Sequence, residues 1–354
     1  MKVAYTGSIF FNQSYGGISR YYTELVKKIK TDVKIYAPIN KNIYLKDINP
    51  NLKSSFFIKK IPQYNFLIKI NNITMNYLIK NYDPDILHET YYSDNIIKLK
   101  KYKKILTIYD LIHERFQNEL YKNKINVKRK VLEYIDHFIC ISEQTKKDFI
   151  EYYNIPSNKV SVVYLGGDHL NQSLEQPISR IIQEPYILYI GSRKKYKNFK
   201  ILYEALDKLK IKDLSLICFG GEKFSQLEIK ENKSKVKIHQ IYGDDKVLLN
   251  LIKNAECYIN TSVYEGFGIP NIEAIINKCP LICSNIPVFK EICKNAAIYF
   301  DKDYSEDLAI KINKVVLDKE FKEKILENGK KLIKLYSWKK CADDTFKVYK
   351  KILT

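Results

Sequence analysis

The sequence contains no hydrophobic run long enough to cross a membrane, since no stretch approaches the roughly twenty consecutive apolar residues of a transmembrane helix. It also lacks the long apolar segment and small-residue cleavage site of a signal peptide, because Met1 and Lys2 lead directly into a short apolar segment at 3–5. These two absences favour a cytoplasmic protein. Peripheral association with the inner face of a membrane stays open as an alternative.

Paired cysteines are also missing. The seven cysteines occur singly in apolar segments, and no C-x-x-C pair is present. This pattern is typical of reduced thiols in a core, and it argues against both a disulfide framework and a zinc site. The cysteines are Cys140, Cys218, Cys257, Cys279, Cys283, Cys293 and Cys341.

Acidic residues are in the minority, with 40 against 60 basic residues and a formal net charge of +20. Such an excess favours anionic partners such as phosphorylated substrates, anionic lipid headgroups or nucleic acid, although an ordinary solvated surface explains charge runs equally well. No nucleic-acid-binding motif accompanies the basic runs, so we expect no nucleic-acid partner. The runs comprise Lys98, Lys100, Lys101, Lys103, Lys104, Lys128, Arg129 and Lys130.

The 354 residues alternate short apolar segments with helical patterns, which predicts two α/β domains, each with its own core. We assign residues 1–170 to an N-terminal α/β domain, 171–185 to a polar linker, 186–336 to a second α/β domain and 337–354 to a helix returning to the first domain. The stretch 41–82 shows no clear pattern. Strands are expected at 3–5, 33–36, 86–88, 105–109, 138–141, 160–164, 186–190, 214–219, 236–240, 257–261, 281–283 and 297–300.

In the first half, polar or glycine-rich segments follow several predicted strands. Gly16 and Gly17 precede a helical pattern, so their backbone can approach a phosphate closely. Asp110 and His113 follow the strand at 105–109, where the carboxyl ends of parallel strands share one edge of the sheet. A lone histidine is usually structural, but its place in this loop makes His113 a candidate site residue.

The stretch Y-E-G-F-G-I-P-N-I-E in the second half places Glu265 in a glycine-containing loop and Glu273 eight positions later. Pro270 suits the start of a helix, so Glu273 is expected about one turn inside that helix. Backbone N–H groups of the loop and of the first helical turn would form a donor-rich, slightly positive cup between the two acids. Such a cup suits a ligand that carries hydroxyls and phosphates.

A basic loop, G-S-R-K-K-Y-K-N, follows the first strand of the second half. Arg193 offers a planar fork and Lys197 a point charge beside a helix start, which together suit a diphosphate. The alternative is an ordinary lysine-rich surface loop. The position of this loop on the same strand-end edge as Glu265 favours the anion site.

These motifs, together with G-G-I-S-R-Y near the start, resemble glycosyltransferase family 4, in its mannosyltransferase-like group. The resemblance extends from Gly16 to the Ser337-Trp338 segment. It implies a GT-B fold, in which two Rossmann-like domains face each other across a cleft and a C-terminal helix crosses back to the first domain. It also implies transfer of a hexose from GDP-mannose or a UDP-sugar to a glycan or lipid-linked acceptor, with retention at the anomeric carbon. Mannose is the leading candidate for the hexose.

The resemblance also assigns roles to individual residues. Arg193 and Lys197 would hold the diphosphate, Glu265 would contact the sugar hydroxyls and Glu273 the ribose. Many members have histidine directly before the aspartate that matches Asp110, where this chain has Tyr109, and the Y-D-x-x-H-E arrangement transfers the role beside the reacting sugar to His113. The remaining donor contacts would come from Gly16, Gly17, Ser192, Tyr242, Gly266, Phe267, Gly268 and Ile269.

We expect no metal, because cations and helix N-termini can neutralise a leaving diphosphate. Two D-x-D pairs exist, at 83–85 and 301–303, and both are interpreted as turns. Two other functions stay open: a nucleotide-sugar epimerase with the same fold, and a basic protein that binds nucleic acid or anionic membranes without catalysis.

Overall fold

The computed structural model describes residues 1–60, 65–99, 101–117, 119–173, 180–211, 213–231 and 236–354. Their contacts divide the chain into two compact units, one of Met1–Leu165 with Trp338–Thr354 and one of Gly166–Ser337. Residues 166–170, which the sequence-based boundary assigns to the first domain, therefore pack with the second unit. The proposed linker 171–185 includes 174–179, which lie outside the described residues.

The described residues of the first unit form a parallel sheet in the order β3-β2-β1-β4-β5-β6-β7. Its central strands are buried, as expected for a sheet covered on both faces. The chain order reverses between β1 and β4, and this switch point opens a crevice at the carboxyl ends of the two strands. The strands are β1 (Lys2–Thr6), β2 (Asp32–Asn40), β3 (Lys53–Phe57), β4 (Ile86–Glu89), β5 (Lys103–Ile108), β6 (His137–Cys140) and β7 (Val160–Val162).

Helices connect these parallel strands. The stretch 41–82, which could not be interpreted from sequence, contains β3 and a long helix, α3. This helix turns several of its large apolar residues outward, so its hydrophobic pattern is not that of an ordinary surface helix. The helices of the first unit are α1 (Ser8–Asn12), α2 (Gly17–Lys28), α3 (Asn65–Tyr82), α4 (Ile112–Arg115), α5 (Glu119–Leu132) and α6 (Glu143–Tyr153).

The second unit has a parallel sheet of order β10-β9-β8-β11-β12-β13 in its described residues. Its switch point lies between β8 and β11. The strands are β8 (Tyr186–Ile190), β9 (Ser215–Phe219), β10 (Lys237–Ile241), β11 (Cys257–Asn260), β12 (Leu281–Ser284) and β13 (Ala297–Phe300). The helices are α7 (Phe199–Leu206), α8 (Gln226–Glu231), α9 (Asp245–Asn254), α10 (Ile269–Ile276), α11 (Pro287–Cys293), α12 (Ser305–Leu317) and α13 (Lys319–Lys330).

The last helix, α14 (Trp338–Leu353), packs in the first unit against α2. Its Trp338 is fully buried, and the hydroxyl of Tyr349 lies 2.6 Å from Nδ1 of His88. The other ring nitrogen of His88 lies 2.9 Å from the Thr107 hydroxyl, and burial lowers the pKa of His88 to about 3. His88 is therefore a neutral core residue that joins β4 and β5 to α14.

Two groups of residues named in the sequence analysis are buried. All seven cysteines are buried free thiols, as predicted. Within the basic runs, however, Lys104 and Lys128 are buried, so these runs are not a continuous charged face. Lys128 lies 2.8 Å from Glu114 and donates to the backbone carbonyl of Asp110, which ties α5 to the segment that carries His113.

Candidate active site

In the second unit, the loops that follow β8 and β11 are hydrogen bonded to each other. These strands are neighbours, so their carboxyl ends lie side by side at the switch point. The N–H of Val263 donates to the carbonyl of Tyr196 at 2.8 Å, and the Thr261 hydroxyl donates to the carbonyl of Lys197 at 2.6 Å. The basic loop and the glutamate loop therefore form one structure.

Glu265 lies at the centre of this structure. Its Oε1 contacts Nζ of Lys197 and accepts a hydrogen bond of 2.8 Å from Ser262. Side chains of Lys197 and Glu265 are 20% and 14% exposed, so the pair is partly desolvated yet open to a ligand. Asn260 fixes Ser262 through a 2.8 Å contact between Asn260 Oδ1 and the Ser262 hydroxyl. Sequence analysis missed Ser262, although it lies only three positions before Glu265.

Arg193, in the same basic loop as Lys197, is held by contacts of its own. Its Nε donates to Glu228 at 2.7 Å, its Nη2 donates to the Glu222 carbonyl at 2.6 Å, and its guanidinium stacks on the Phe224 ring at 3.8 Å. The side chain is 4% exposed, and Nη1 has no hydrogen-bond partner among the described residues. Burial opposes ionisation of Glu228, but hydrogen bonds from Arg193 and Ser225 outweigh it and lower the pKa of Glu228.

The glutamate loop ends at the start of α10, as the glycine and proline pattern indicates. Gly268 caps the helix at a φ of 90°, and a side chain there would meet the Phe289 ring at 2.9 Å. Pro270 is the second helical residue, one position later than expected. Phe267 is buried against Tyr336, with its ring edge-to-face at 5.8 Å between centroids. The loop that carries Glu265 therefore leads within four residues to the start of α10.

Glu273, one turn into α10, is not a free acceptor. Nε2 of His169 lies 3.1 Å from its Oε1, and both side chains are nearly buried. Gly167 permits this contact, because a side chain there would meet Ile272 at 2.6 Å. His169 was missed from sequence because nothing in its neighbourhood links it to a residue a hundred positions later.

Two family models match adjacent parts of the chain. The model described as Glycosyltransferase Family 4 matches residues 15–169, and the model described as Glycosyl transferases group 1 matches residues 172–332. The chain belongs to the family 4 glycosyltransferases. The family and the enzyme class predicted from sequence are confirmed.

Individual proteins similar to this glycosyltransferase are also described as glycosyltransferases. It is 30% identical over 232 residues to an uncharacterized glycosyltransferase of Methanocaldococcus jannaschii, covering 60% of the chain and 59% of the relative. It is 30% identical over 190 residues to the O-antigen chain mannosyltransferase RfbU of Salmonella typhimurium, covering 51% of the chain and 49% of that protein. The match therefore spans about half to three-fifths of the length of these relatives.

The fold of the glycosyltransferase is that of solved glycosyltransferase structures. The structure of the Anabaena protein HepE in complex with UDP-glucose superposes with a TM-score of 0.72 at 14% identity, covering 98% of this chain and 100% of HepE. A glycosyltransferase from Rickettsia africae gives a TM-score of 0.73 at 20% identity, covering 100% of this chain and 98% of that chain. The predicted fold class is confirmed.

The other predicted donor residues of the glycosyltransferase lie at several places. In the second unit, Ser192 follows β8 with its carbonyl bonded to the Tyr189 hydroxyl at 2.8 Å, and Tyr242 follows β10 with 50% of its surface exposed. Both positions are at the carboxyl edge of the sheet. Gly266 lies between Glu265 and Phe267 in the glutamate loop.

The first unit of the glycosyltransferase contains the rest. Gly16 caps α2 and Gly17 is its first residue. His113 lies on α4, with its ring 4.6 Å from that of Tyr121. The roles of these three residues stay predictions.

The D-x-D pairs of the glycosyltransferase are turn residues. Asp83 pairs with Lys101 at 2.6 Å and has a φ of 50°, while Asp303 donates its N–H to Asp301 at 3.0 Å. In the part of the chain that the structure describes, no group of three or more histidine, cysteine, aspartate or glutamate side chains could hold a metal ion. No helix in that part is both long and apolar enough to span a bilayer.

A buried carboxyl group marks the switch point of the first unit. Glu89, at the end of β4, accepts hydrogen bonds from Thr6 at 2.6 Å and from Ser8 at 2.8 Å, both on its Oε1. Its Oε2 is buried without a partner among the described residues. Burial raises the pKa of Glu89 to about 7, although the two hydroxyls oppose the shift.

We expect Glu89→Gln to remove a pH-dependent loss of stability. Because its pKa of about 7 in the fold exceeds the ordinary 4.5, stability is full below the ordinary pKa and falls as the pH rises through 7. The pKa shift from 4.5 to about 7 corresponds to a loss of about 3 kcal/mol in folding stability, because each pKa unit is equivalent to about 1.4 kcal/mol. Urea unfolding should show the wild type losing stability relative to the variant between about pH 5 and pH 8. The exposed Glu151→Gln serves as a control, and parallel pH curves for wild type and Glu89→Gln would contradict the assignment.

Proposed function

We propose that the chain transfers a hexose from a nucleotide diphosphate sugar to a glycan or lipid-linked acceptor, with mannose as the leading candidate for the hexose. The observation that carries the proposal is the Lys197–Glu265 contact at the switch point of the second sheet, beside the first turn of α10. A cation and a carboxylate held together next to a helix start suit a ligand that joins a diphosphate to a sugar. UDP-glucose in HepE and the mannosyltransferase RfbU support the two parts of this ligand.

The donor would replace interactions that the site now makes internally. Lys197 and Arg193 are each neutralised by a glutamate, Glu265 and Glu228 respectively. A diphosphate would compete for both cations, and the orphan Nη1 of Arg193 is an unused donor. Glu265, released from Lys197, would accept hydrogen bonds from the sugar hydroxyls. The ribose would be held by Glu273, whose carboxylate His169 orients.

We propose a front-face reaction with retention and without a required metal. The bond between the anomeric carbon and the phosphate oxygen breaks with its electron pair leaving on the diphosphate. The acceptor oxygen bonds to the same face of that carbon, and its proton passes to the leaving phosphate. Lys197, Arg193 and the α10 N-terminus supply the positive charge that stabilises the leaving group. The acceptor belongs to polysaccharide synthesis in this proposal, at the cytoplasmic side of a membrane.

A thermal-shift panel tests the donor site. UDP, GDP and their hexose conjugates are compared with uridine and guanosine, which lack the diphosphate. One nucleotide diphosphate should stabilise the folded chain by about 2.7 kcal/mol at a hundredfold excess over its Kd, whereas the nucleosides should give no shift. Glu273→Gln should weaken the shift, while Glu323→Gln, an exposed glutamate on α13, should not.

Product analysis completes the test. With the donor that binds, NMR of the product should show the same anomeric configuration as in the donor. If no nucleotide diphosphate stabilises the chain, the donor site is wrong, and an inverted product would exclude the front-face step.

A further inference from the structure

Helix α3 of the first unit is held by the face that packs on the sheet and by Asn76, whose side-chain amide exchanges hydrogen bonds of 2.9 and 2.7 Å with that of Asn95. Oδ1 of Asn71 accepts the N–H of Ile39 at 2.8 Å, and the sulfur of Met75 accepts the N–H of Gly7 at 3.1 Å. Met75 and Ile79 are 1% and 0% exposed. These three residues fall on one face at steps of four, and this face holds the helix on β1 and β2.

The opposite face of α3 consists of large apolar side chains in contact with solvent. Phe66, Ile70, Ile73 and Tyr77 are 67%, 37%, 69% and 64% exposed. Their spacing of four, three and four residues places them within an arc of about 60° when each residue advances about 100° around the helix. We call these four residues the apolar stripe. Side chains that are exposed singly need no explanation, but a continuous row of them indicates a binding surface.

The charged side chains of α3 itself are all positive. Lys69 and Lys80 are exposed and lie along one flank of the stripe, and α3 contains no acidic residue. Lys59 and Lys60 are exposed shortly before the helix. None of the four forms an ion pair with a carboxylate of the described residues. Residues 41–82 contain seven lysines and a single acid, Asp47.

We propose that the apolar stripe of α3 inserts into the interface of an anionic lipid bilayer while Lys69 and Lys80 contact the headgroup phosphates. Helices that lie in the plane of a membrane interface carry apolar and aromatic side chains on one face and lysines along its flanks. Each lysine near an anionic surface adds to the attraction. The proposal stands on exposure and charge alone, and it names the surface that would bring the enzyme to a lipid-linked acceptor.

The charge pattern favours a bilayer over a second copy of the chain. In a twofold contact between two stripes, each copy would bring its Lys69 and Lys80 to the same small interface with no carboxylate of α3 to neutralise them. Anionic headgroups neutralise these lysines without requiring a fixed partner geometry. Pairing between copies is therefore an outcome that the experiment must detect.

Vesicle co-sedimentation of the full chain tests the proposal. The chain should sediment with vesicles of phosphatidylcholine mixed with phosphatidylglycerol and much less with phosphatidylcholine alone. The double variant Phe66→Gln with Ile73→Gln should lower the partition coefficient by about tenfold or more, since two large side chains lose their insertion. Lys69→Gln with Lys80→Gln should lower it by about tenfold on anionic vesicles only.

Matched controls lie in the second unit. Ile310→Gln with Leu317→Gln removes two side chains of similar exposure, 60% and 67%, from α12, and Lys319→Gln with Lys324→Gln removes two exposed lysines from α13. Neither control should change vesicle binding. Thermal melting of all variants checks folding, and the nucleotide panel checks the donor site separately.

Two results would overturn the proposal. The first is vesicle binding that is absent or is reduced equally by the stripe variants and the controls. The second is a wild-type dimer in sedimentation velocity that Phe66→Gln with Ile73→Gln converts to a monomer, because the stripe would then be a contact between copies of the chain.

Discussion

Replacing Lys197 with alanine should lower the rate of glycosyl transfer by about 10²- to 10³-fold, the usual effect of removing one group that stabilises developing negative charge. Lys197 is the cation in direct contact with Glu265, and the two loops are joined by one backbone hydrogen bond and by the Thr261 hydroxyl. Without the ammonium group, the leaving diphosphate loses a counter-charge in the transition state. The measurement is donor turnover with the nucleotide sugar identified by the thermal-shift panel.

The same loop supplies the control. Lys195 is exposed two positions away, so Lys195→Ala removes an equal charge outside the Glu265 contact and should leave turnover nearly unchanged. Arg193→Ala should match Lys197→Ala, with an additional loss of stability because the buried Glu228 contact disappears. Turnover within about threefold of wild type for both Arg193→Ala and Lys197→Ala would show that these residues do not hold the diphosphate.

Replacing Lys128 with methionine should destabilise the first unit by about 3–5 kcal/mol, because it leaves a buried carboxylate without its cation. Side chains of Lys128 and Glu114 are 2% and 0% exposed, and their charged atoms lie 2.8 Å apart. Hydrogen exchange of the β5 and β6 amides measures the loss locally, since a change confined to one unit need not appear in a global transition. The segment with His113 should exchange faster as well, because Lys128 also bonds to Asp110.

A second variant and the pH dependence of stability distinguish the effect of the missing charge from a simple loss of packing. Adding Glu114→Gln to Lys128→Met should recover much of the stability, because the buried negative charge is removed. In the wild type, burial opposes ionisation of Glu114, but Lys128 outweighs this effect and lowers the pKa of Glu114. The pair therefore stabilises the fold above the ordinary carboxyl pKa, and this stabilisation is lost as the pH falls through the lowered pKa. In Lys128→Met the defect should instead shrink at low pH. Equal destabilisation of the single and double variants would refute the charge explanation.

Fold prediction from this sequence succeeded where burial and pattern coincide. Most strands of the two parallel sheets are buried and coincide with short apolar runs, and all twelve expected strands match observed ones within a few residues. Strand β3 and helix α3 were missed, because β3 (K-S-S-F-F) begins with three polar residues and has no buried residue, and α3 turns apolar residues to solvent. Hydrophobic pattern indicates a structure only when the apolar face is the one packed on the core.

The candidate site, like the fold, could be predicted only in part from the sequence. Local patterns were enough to predict that Glu265, Lys197 and Arg193 follow their strands in loops, since a glycine-containing turn before a helix and a basic loop after a strand can each be recognised within a few residues. The contacts of these side chains became apparent only in the folded chain. Arg193 pairs with Glu228, Glu265 contacts Ser262 and Lys197, and Glu273 contacts His169. These pairs join residues whose separation along the chain carries no periodic signal. A folded sheet brings them together because parallel strands collect their carboxyl ends at one edge, whatever their order in the sequence.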